Sequence, residues 1–159
     1  MTAAIRPAAL ADVAEILRLI RALADYEKLA GQCVATEAQL RDTLFGARPA
    51  AEVLLAEEDG RTVGLALFFH NYSTFLARPG LYLEDLFVEP AHRGRGLGKA
   101  LLQAVAQRAV QRGCGRLEWA VLDWNTPAIE FYRAFGARPL DGWTVFRLAG
   151  EALDRFGRG

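Results

Sequence analysis

The stretch RGRGLG carries the clearest chemical signal in the sequence, because it places glycines and cations around one point. It fits the pattern R-x-x-G-x-G, with Arg93, Gly96 and Gly98 at the fixed positions. Glycines let successive main-chain N–H groups turn toward one point, and a following helix adds free N–H donors and the positive end of its dipole. Arg93, Arg95 and Lys99 add positive charge, so the stretch is typical of a diphosphate-binding bend that works without metal.

Two better-known phosphate loops do not fit this stretch. The Walker A pattern G-x-x-x-x-G-K-[ST] fails because Gly94 and Gly98 are one residue too close and Ala100 follows Lys99. The dinucleotide pattern G-x-G-x-x-G requires glycine at the position of Lys99. From the residues alone, one alternative stays open: a glycine-rich turn whose basic side chains face solvent.

Two adjacent carboxylates and a tyrosine are the candidates for proton transfer. Neighbouring residues of a strand point to opposite faces, so one of Glu84 and Asp85 is expected in the cleft; Asp85 is expected to be an ion-paired structural carboxylate. A phenol titrates near ~10, so Tyr132 keeps a proton at neutral pH and suits a general acid. Tyr132 also fits a core position, because Ile129 and Phe135 share its helical spacing.

The histidines and cysteines do not indicate a metal site. His70 and His92 have no carboxylate or cysteine at ligand spacing. Cys33 and Cys114 are too few for a disulfide framework and match no metal spacing, so they are expected to be ordinary thiols in a reducing compartment. The sequence therefore predicts no metal.

Hydrophobic period and turn signals predict the elements that position these residues. The predicted order is β-α-α-β-β-β-α-β-α-β, an α/β domain with a mixed sheet over residues 1–159. Thr36 and Thr126 are expected helix N-caps, and Asp59-Gly60 is the expected hairpin turn. The helices are predicted at about 10–29, 36–45, 96–113 and 125–136, and the strands at 3–8, within 51–73, and at 80–88, 116–124 and 143–148.

Charge and composition narrow the class of protein. The 159 residues are 52% apolar, which is enough for one buried core, and 19 basic residues balance 19 acidic ones. No bulk field draws such a chain to nucleic acid or to a membrane surface. The start of the chain lacks a signal-peptide pattern and no apolar run is long enough to span a bilayer. The expectation is a soluble, cytoplasmic protein.

R-x-x-G-x-G after an apolar strand resembles the GNAT N-acetyltransferases, in which this bend binds the diphosphate of acetyl-CoA. The segments YLEDLFVEPAHRGRGLGKALL and AVLDWNTPAIEFYRAFGA are similar to the diamine acetyltransferase subfamily. YEKL and AVLDWN resemble its thialysine Nε-acetyltransferase branch more than its spermidine/spermine branch. The resemblance implies the GNAT fold, a central mixed sheet flanked by helices, with acetyl-CoA as co-substrate and a homodimer.

The resemblance also implies roles for the matching residues. Tyr132 would protonate the departing thiolate, and Glu84 would bind the substrate ammonium and help to remove its proton through water. From the residues alone, a plain helix-capping role for Asn125 is as good an interpretation as a coenzyme contact. On the same basis, Glu27 is a solvated charge at the end of a helix. The implied substrate-binding residues are Tyr26, Glu27, Glu84 and Trp143. The implied coenzyme-binding residues are Leu86, Phe87, Val88, Arg93, Gly94, Arg95, Gly96, Leu97, Gly98, Lys99, Asn125, Pro127, Ala128 and Tyr132.

The predicted reaction moves the acetyl group of acetyl-CoA to a primary amine by direct attack in a ternary complex. The segment 70–80 contains no Asp or Glu, which favours a small amine that carries its own carboxylate, such as thialysine, over a polycation. Arg78 and Arg93 would tolerate that anion. The alternatives are a protein N-terminal or lysine acetyltransferase and a non-catalytic acyl-CoA-binding module, in which Tyr132 and Glu84 would serve no purpose.

Overall fold

The computed structural model describes residues 2–159, which form two compact units, one ending at Leu122 and one spanning Asp123–Gly159. The first unit holds a five-stranded sheet in the order β1-β2-β3-β4-β5. Strands β1 to β4 pair antiparallel and β5 is parallel to β4, which confirms the predicted mixed sheet. The strands are β1 Ala3–Pro7, β2 Glu52–Glu58, β3 Arg61–Ser73, β4 Arg78–Val88 and β5 Leu117–Trp119.

Three helices belong to the first unit: α1 Val13–Tyr26, α2 Glu37–Phe45 and α3 Leu97–Gln111. The apolar stripe of α1, which includes Ile16 and Leu19, packs against sheet residues such as Leu55 and Leu65. These four side chains are fully buried, and burial of each contributes about 1.5–3 kcal/mol. The packing fixes the end of α1 against the sheet. This matters for the site because the ring of Tyr26, the last residue of α1, lies beside the ring of Phe87 in β4.

Local signals predicted two features of the first unit correctly. Thr36 caps α2 in a capping box with Gln39, whose N–H donates to Thr36 Oγ1 at 3.2 Å. The turn between β2 and β3 has positive φ at both central residues, 51° at Asp59 and 77° at Gly60. Two left-handed residues match the twist of a tight hairpin, which is the reason Asp-Gly is favoured there.

The second unit contains α4 Thr126–Arg133 and α5 Gly150–Gly157. The predicted N-cap Thr126 is wrong by one position, because Asn125 caps α4 and accepts from the N–H of Ala128 at 3.4 Å. The prediction that residues 1–159 form a single domain stays a prediction. Among residues 2–159, no helix is long and apolar enough to cross a membrane.

Two strand predictions need correction. The strand predicted at 116–124 is confined to Leu117–Trp119, and the strand predicted at 143–148 is absent. The side chains of Trp143, Val145 and Phe146 in that last segment are exposed. An alternating apolar pattern becomes a strand only when a neighbouring main chain pairs with it, so the pattern alone was not sufficient.

Candidate active site

The glycine bend joins β4 to α3, as its sequence predicts. Gly94 and Gly96 have φ of 78° and 83°, and no atom lies within 4 Å of a Cβ built on either residue. Gly96 is the N-cap of α3, and no side chain of the described residues caps that helix. The first-turn N–H groups, including those of Leu97 and Gly98, have no carbonyl partner within the helix. The bend therefore presents main-chain donors and a helix N-terminus to an anion.

Arg93 leads from the bend toward the end of α1. Its Nε donates to the carbonyl of Val88 at 2.8 Å. Its guanidinium carbon lies 4.6 Å from the ring centroid of Tyr26 and 5.4 Å from that of Phe87. A cation stacked on an aromatic face is held in place by the ring quadrupole. Arg93 therefore connects the coenzyme strand predicted from the sequence to the predicted amine site.

The other two cations of the bend differ in their surroundings. Arg95 Nη1 donates to Glu58 Oε2 at 2.5 Å, so much of its charge is balanced by a carboxylate of β2. Lys99 is exposed in the first turn of α3. The sequence predicted that the charges of the bend would add up around a diphosphate. Because Arg95 is paired with Glu58, the predicted diphosphate site depends more on the main-chain N–H groups of the bend than the sequence suggested.

The edge of β4 that faces β5 is paired over only part of its length. Residues 81–83 pair with β5, and beyond Leu83 no strand among residues 2–159 pairs with this edge. Glu84 is the unpaired residue of a bulge, because Leu83 lies opposite Phe68 while Asp85 lies opposite Leu67. The main chain of 86–88, which holds the predicted coenzyme residues, keeps its pairing with β3 only. Such an open edge can hydrogen-bond an extended ligand.

A cluster of three carboxylates lies where α1 ends beside β4: Glu27, Glu84 and Asp85. Burial, followed by the charges of Glu84 and Glu27, raises the pKa of Asp85 to about 6. Burial and then the charge of Glu84 raise the pKa of Glu27. None of the three forms a salt bridge within residues 2–159. Uncompensated carboxylates that raise one another's pKa values are typical of a site that awaits a cation.

This cluster overturns one expectation. The prediction that Asp85 is an ion-paired structural carboxylate is wrong, since the described residues offer it no cationic partner. The strict alternation that would place Glu84 and Asp85 on opposite faces is interrupted by the bulge at Glu84. A bulge depends on the pairing of two strands and leaves no mark in the sequence of one.

Tyr132 lies in α4 of the second unit. Its N-cap Asn125 is buried, and Pro127 lies in the first turn of the helix, where a missing N–H costs nothing. Tyr132 is half-buried and its ring packs edge-on against Phe131, with 5.5 Å between centroids. The capping role that the sequence left open for Asn125 is confirmed. The catalytic role of Tyr132 and the coenzyme contacts of Asn125, Pro127 and Ala128 stay predictions.

The acetyltransferase (GNAT) family matches residues 18–137, which include α1 from Arg18 onward, the whole of β4, the bend and α4. The chain belongs to this family. Within GNAT, it is 43% identical over 160 residues to a thialysine N-epsilon-acetyltransferase of Bos taurus, covering 94% of each chain. It is 37% identical to an L-ornithine N5-acetyltransferase of Arabidopsis thaliana, covering 96% of this chain and 87% of the other.

Comparison with solved structures confirms the GNAT fold. An integron cassette protein from the mobile metagenome of V. cholerae superposes with a TM-score of 0.84 over 100% of this chain and 99% of the other, at 24% sequence identity. The family match and the relatives from Bos taurus and Arabidopsis thaliana show that the protein is an acetyltransferase, and GNAT enzymes use acetyl-CoA as co-substrate. The open bend, with its two left-handed glycines, fits a diphosphate, and the unpaired edge of β4 fits an amide-bearing arm.

Two functional candidates escaped the sequence analysis. Asp85 was treated as structural because its burial beside Glu84 and Glu27 depends on the fold. Glu58 received no role, although its carboxylate contacts both His92 and Arg95. Within residues 2–159, no group of three or more His, Cys, Asp or Glu side chains could hold a metal ion. The contact between His92 and Glu58 is therefore not part of such a group.

Proposed function

We propose that this GNAT acetyltransferase moves the acetyl group of acetyl-CoA to a side-chain amine of a small amino acid, with thialysine and ornithine as representative acceptors. The observation that carries the proposal is the unneutralised cluster of Glu27, Glu84 and Asp85 close to the coenzyme bend. A primary ammonium supplies the missing positive charge. The names of the relatives from Bos taurus and Arabidopsis thaliana support acceptors of this size.

Acetyl-CoA is proposed to bind through main-chain groups of the first unit. The N–H donors of Gly94 to Gly98 and the end of α3 take the diphosphate, aided by Lys99. The amides of the pantetheine arm pair with the open edge of β4 at Leu86 and Val88, on either side of Phe87. The thioester carbonyl then lies against a strand whose N–H groups can stabilise an oxyanion.

Proton transfer follows from the carboxylate cluster. Glu84 holds the ammonium and takes its proton through water, because only the neutral amine attacks. The amine nitrogen forms a bond to the carbonyl carbon, and the carbon–sulfur bond breaks as the tetrahedral intermediate collapses. Tyr132 gives its proton to the departing thiolate, so the products are the N-acetyl amine and coenzyme A. The amine nitrogen loses its second proton through water to the deprotonated Tyr132, and the proton taken up by Glu84 is released to solvent.

The pattern of charge supports an acceptor that is both cationic and anionic. Arg93 lies over the ring of Tyr26, and Glu27 follows Tyr26 in the sequence, so a cation and a carboxylate are both available at the end of α1. The segment 70–80 adds no acidic residue that a long polycation would need. We therefore propose that the acceptor's carboxylate is drawn to Arg93 and its side-chain ammonium to Glu84, with Trp143 bordering the amine.

An acetyl-CoA consumption assay with thialysine, ornithine, lysine, spermidine and a lysine-containing peptide tests this assignment. The two favoured amino acids should exceed spermidine and the peptide in kcat/KM by about tenfold or more, which corresponds to one charge-assisted contact. Equal values for spermidine would remove the basis for an amino-acid acceptor. A preference for the peptide would indicate a protein acetyltransferase instead.

We also propose a homodimer in a reducing compartment. The exposed apolar side chains of Trp143, Val145 and Phe146 form the kind of surface that associating proteins bury. Cys33 and Cys114 are both free thiols, as is usual where glutathione keeps cysteines reduced.

A further inference from the structure

Glu58 is a nearly buried carboxylate at the end of β2, one residue before the Asp59-Gly60 turn. Its exposed fraction is 5%. A carboxylate removed from water is costly unless partners compensate for the lost hydration. Glu58 takes no part in the carboxylate cluster at β4, and the proposed reaction assigns it no role.

Both partners of Glu58 belong to the segment that forms the coenzyme bend. His92 Nδ1 and Arg95 Nη1 contact the same oxygen, Glu58 Oε2, with Arg95 at 2.5 Å. The hydrogen bond from Arg95, followed by that from His92, lowers the pKa of Glu58, so the carboxylate is held in its charged form. His92 is the last residue of a one-turn 3₁₀ helix, Pro90–His92, and Arg95 lies between Gly94 and Gly96. One carboxylate thus grips both ends of residues 92–95.

Apart from the contacts of Arg93 with Val88, Tyr26 and Phe87, the main chain of the bend has few hydrogen bonds among the described residues. Gly94 and Gly96 are both left-handed, and glycine loses more conformational freedom on ordering than any other residue. The main-chain bond at its start, from Arg93 N–H to the Pro90 carbonyl, is long at 3.3 Å, and the one at its end, from Ala100 N–H to the Gly96 carbonyl at 2.9 Å, is already part of α3. A loop that becomes ordered only on binding loses conformational entropy at that step, and this loss weakens the complex. A preorganised loop avoids this loss.

We propose that Glu58 is a positioning residue for coenzyme binding, whose carboxylate holds the bend, through His92 and Arg95, in the form that presents its N–H groups to the diphosphate. Glu58 itself does not touch the coenzyme. The proposal rests on the proposed function in that acetyl-CoA binds at the bend.

Electrostatics and positioning predict opposite signs when Glu58 is neutralised. Removal of a negative charge beside Arg95 leaves the bend more positive, so charge alone predicts tighter binding of an anionic diphosphate. Loss of the anchor predicts weaker binding, because the bend must then be ordered by the ligand. The direction of the change therefore separates the two effects.

Calorimetric titration of coenzyme A into wild type, Glu58→Gln and Glu57→Gln makes the test. Glu57→Gln is a matched control, since Glu57 is the neighbouring residue of β2 and pairs with Arg6 at 2.7 Å instead of with the bend. Glu58→Gln should raise the Kd for coenzyme A and the KM for acetyl-CoA by about tenfold, the usual size of a lost hydrogen bond to a charged group. The kcat and the KM for the amine should stay within about twofold, and Glu57→Gln should leave both constants for the coenzyme unchanged.

His92→Leu is the second variant, and it keeps the test decisive if Glu58→Gln does not fold. It removes one contact while the bond from Arg95 to the carboxylate persists, so the Kd should rise by about threefold. In the double variant, His92→Leu should add nothing to Glu58→Gln, because both act on one anchor.

Unchanged or tighter binding of coenzyme A by Glu58→Gln, or by His92→Leu where that is the variant that folds, would overturn the positioning role. An equal loss of affinity in Glu57→Gln would also overturn it, since the effect would then reflect general stability. Failure of the wild-type protein to bind coenzyme A would instead refute the proposed function on which this role depends.

Discussion

At the scale of single residues, the most informative feature is a carboxylate with no ion-pair partner among residues 2–159. Asp85 is half-buried beside Glu84 and Glu27, and a fold selected only for stability has no use for that arrangement. The sequence identifies Glu84 and Asp85 as chemically interesting because they are adjacent. It does not reveal which is buried or that Glu27 comes close, because both facts depend on contacts between α1 and β4.

Substitution of Asp85 by Asn should stabilise the protein at neutral pH. The folded-state pKa is raised to about 6 from 3.8, so the contribution of Asp85 to stability is fully present below about pH 4 and is lost as pH rises through 6. Asp85→Asn should therefore raise the free energy of unfolding by about 3 kcal/mol at pH 8 and change it little at pH 4.

Urea unfolding at the two pH values measures this difference, with Asp25→Asn, an exposed acidic residue of α1 outside the carboxylate cluster, as a control for the removal of one charge. Equal effects of Asp85→Asn at pH 4 and pH 8 would contradict the raised pKa. The variant should at the same time lose affinity for the amine, because the cluster has lost a charge.

Replacement of Tyr132 by Phe removes a single hydroxyl while keeping the ring that packs on Phe131. If Tyr132 protonates the thiolate, kcat should fall by about 100-fold or more, with the Kd for coenzyme A unchanged. Discontinuous assays of coenzyme A release measure kcat, and calorimetry measures the Kd for coenzyme A. Retention of wild-type kcat by the variant would rule out Tyr132 as the acid, and wild-type Kd with no turnover in either protein would indicate a binding module.

At the scale of elements, the sequence predicts best where one local signal decides the geometry. Thr36 and its capping box set the start of α2, and Asp59-Gly60 sets the hairpin. Prediction was poor where a strand depends on its neighbour: residues 116–124 contain three strand residues, and 143–148 none. The anchor at Glu58 was missed for a related reason, because 34 and 37 residues separate it from His92 and Arg95.

The left-handed N-cap of α3 can be tested directly. Gly96→Ala meets no atom within 4 Å, so its cost arises from φ of 83° alone, and stability should fall by about 1–2 kcal/mol. Gly31→Ala is the matched control, since Gly31 has equal space and no left-handed φ. Thermal unfolding should show a lowered Tm for Gly96→Ala only. The same variant should weaken coenzyme A binding, and an unchanged Tm would contradict the need for glycine at this cap.

At the scale of the whole molecule, charge is balanced in total but separated in space. The 19 acidic and 19 basic residues cancel, yet carboxylates cluster around Glu84 while cations cluster in the bend that follows β4. The sequence showed the balance and the bend, and its resemblance to GNAT enzymes led to the family. The carboxylate cluster that is proposed to bind the amine could be identified only from the structure.

Association of two copies is the prediction at this scale. Sedimentation equilibrium should give twice the chain mass of 17.5 kDa, and Phe146→Glu should return the mass of one chain, because a charge replaces a side chain that is 93% exposed. Val34→Glu is the control, as Val34 is 80% exposed in a different segment and should not affect the mass. A wild-type mass of one chain would refute the dimer.

Arg93 links the two halves of the reaction. Its Nε holds the carbonyl of Val88 at the end of the coenzyme strand, and its guanidinium rests on Tyr26, next to Glu27. A coenzyme that immobilises Arg93 also restrains the end of α1, where the amine is proposed to bind. Thermodynamic linkage is reciprocal, so each substrate should increase the affinity of the other by the same factor. Heterotropic cooperativity of this kind favours the doubly occupied enzyme over either binary complex.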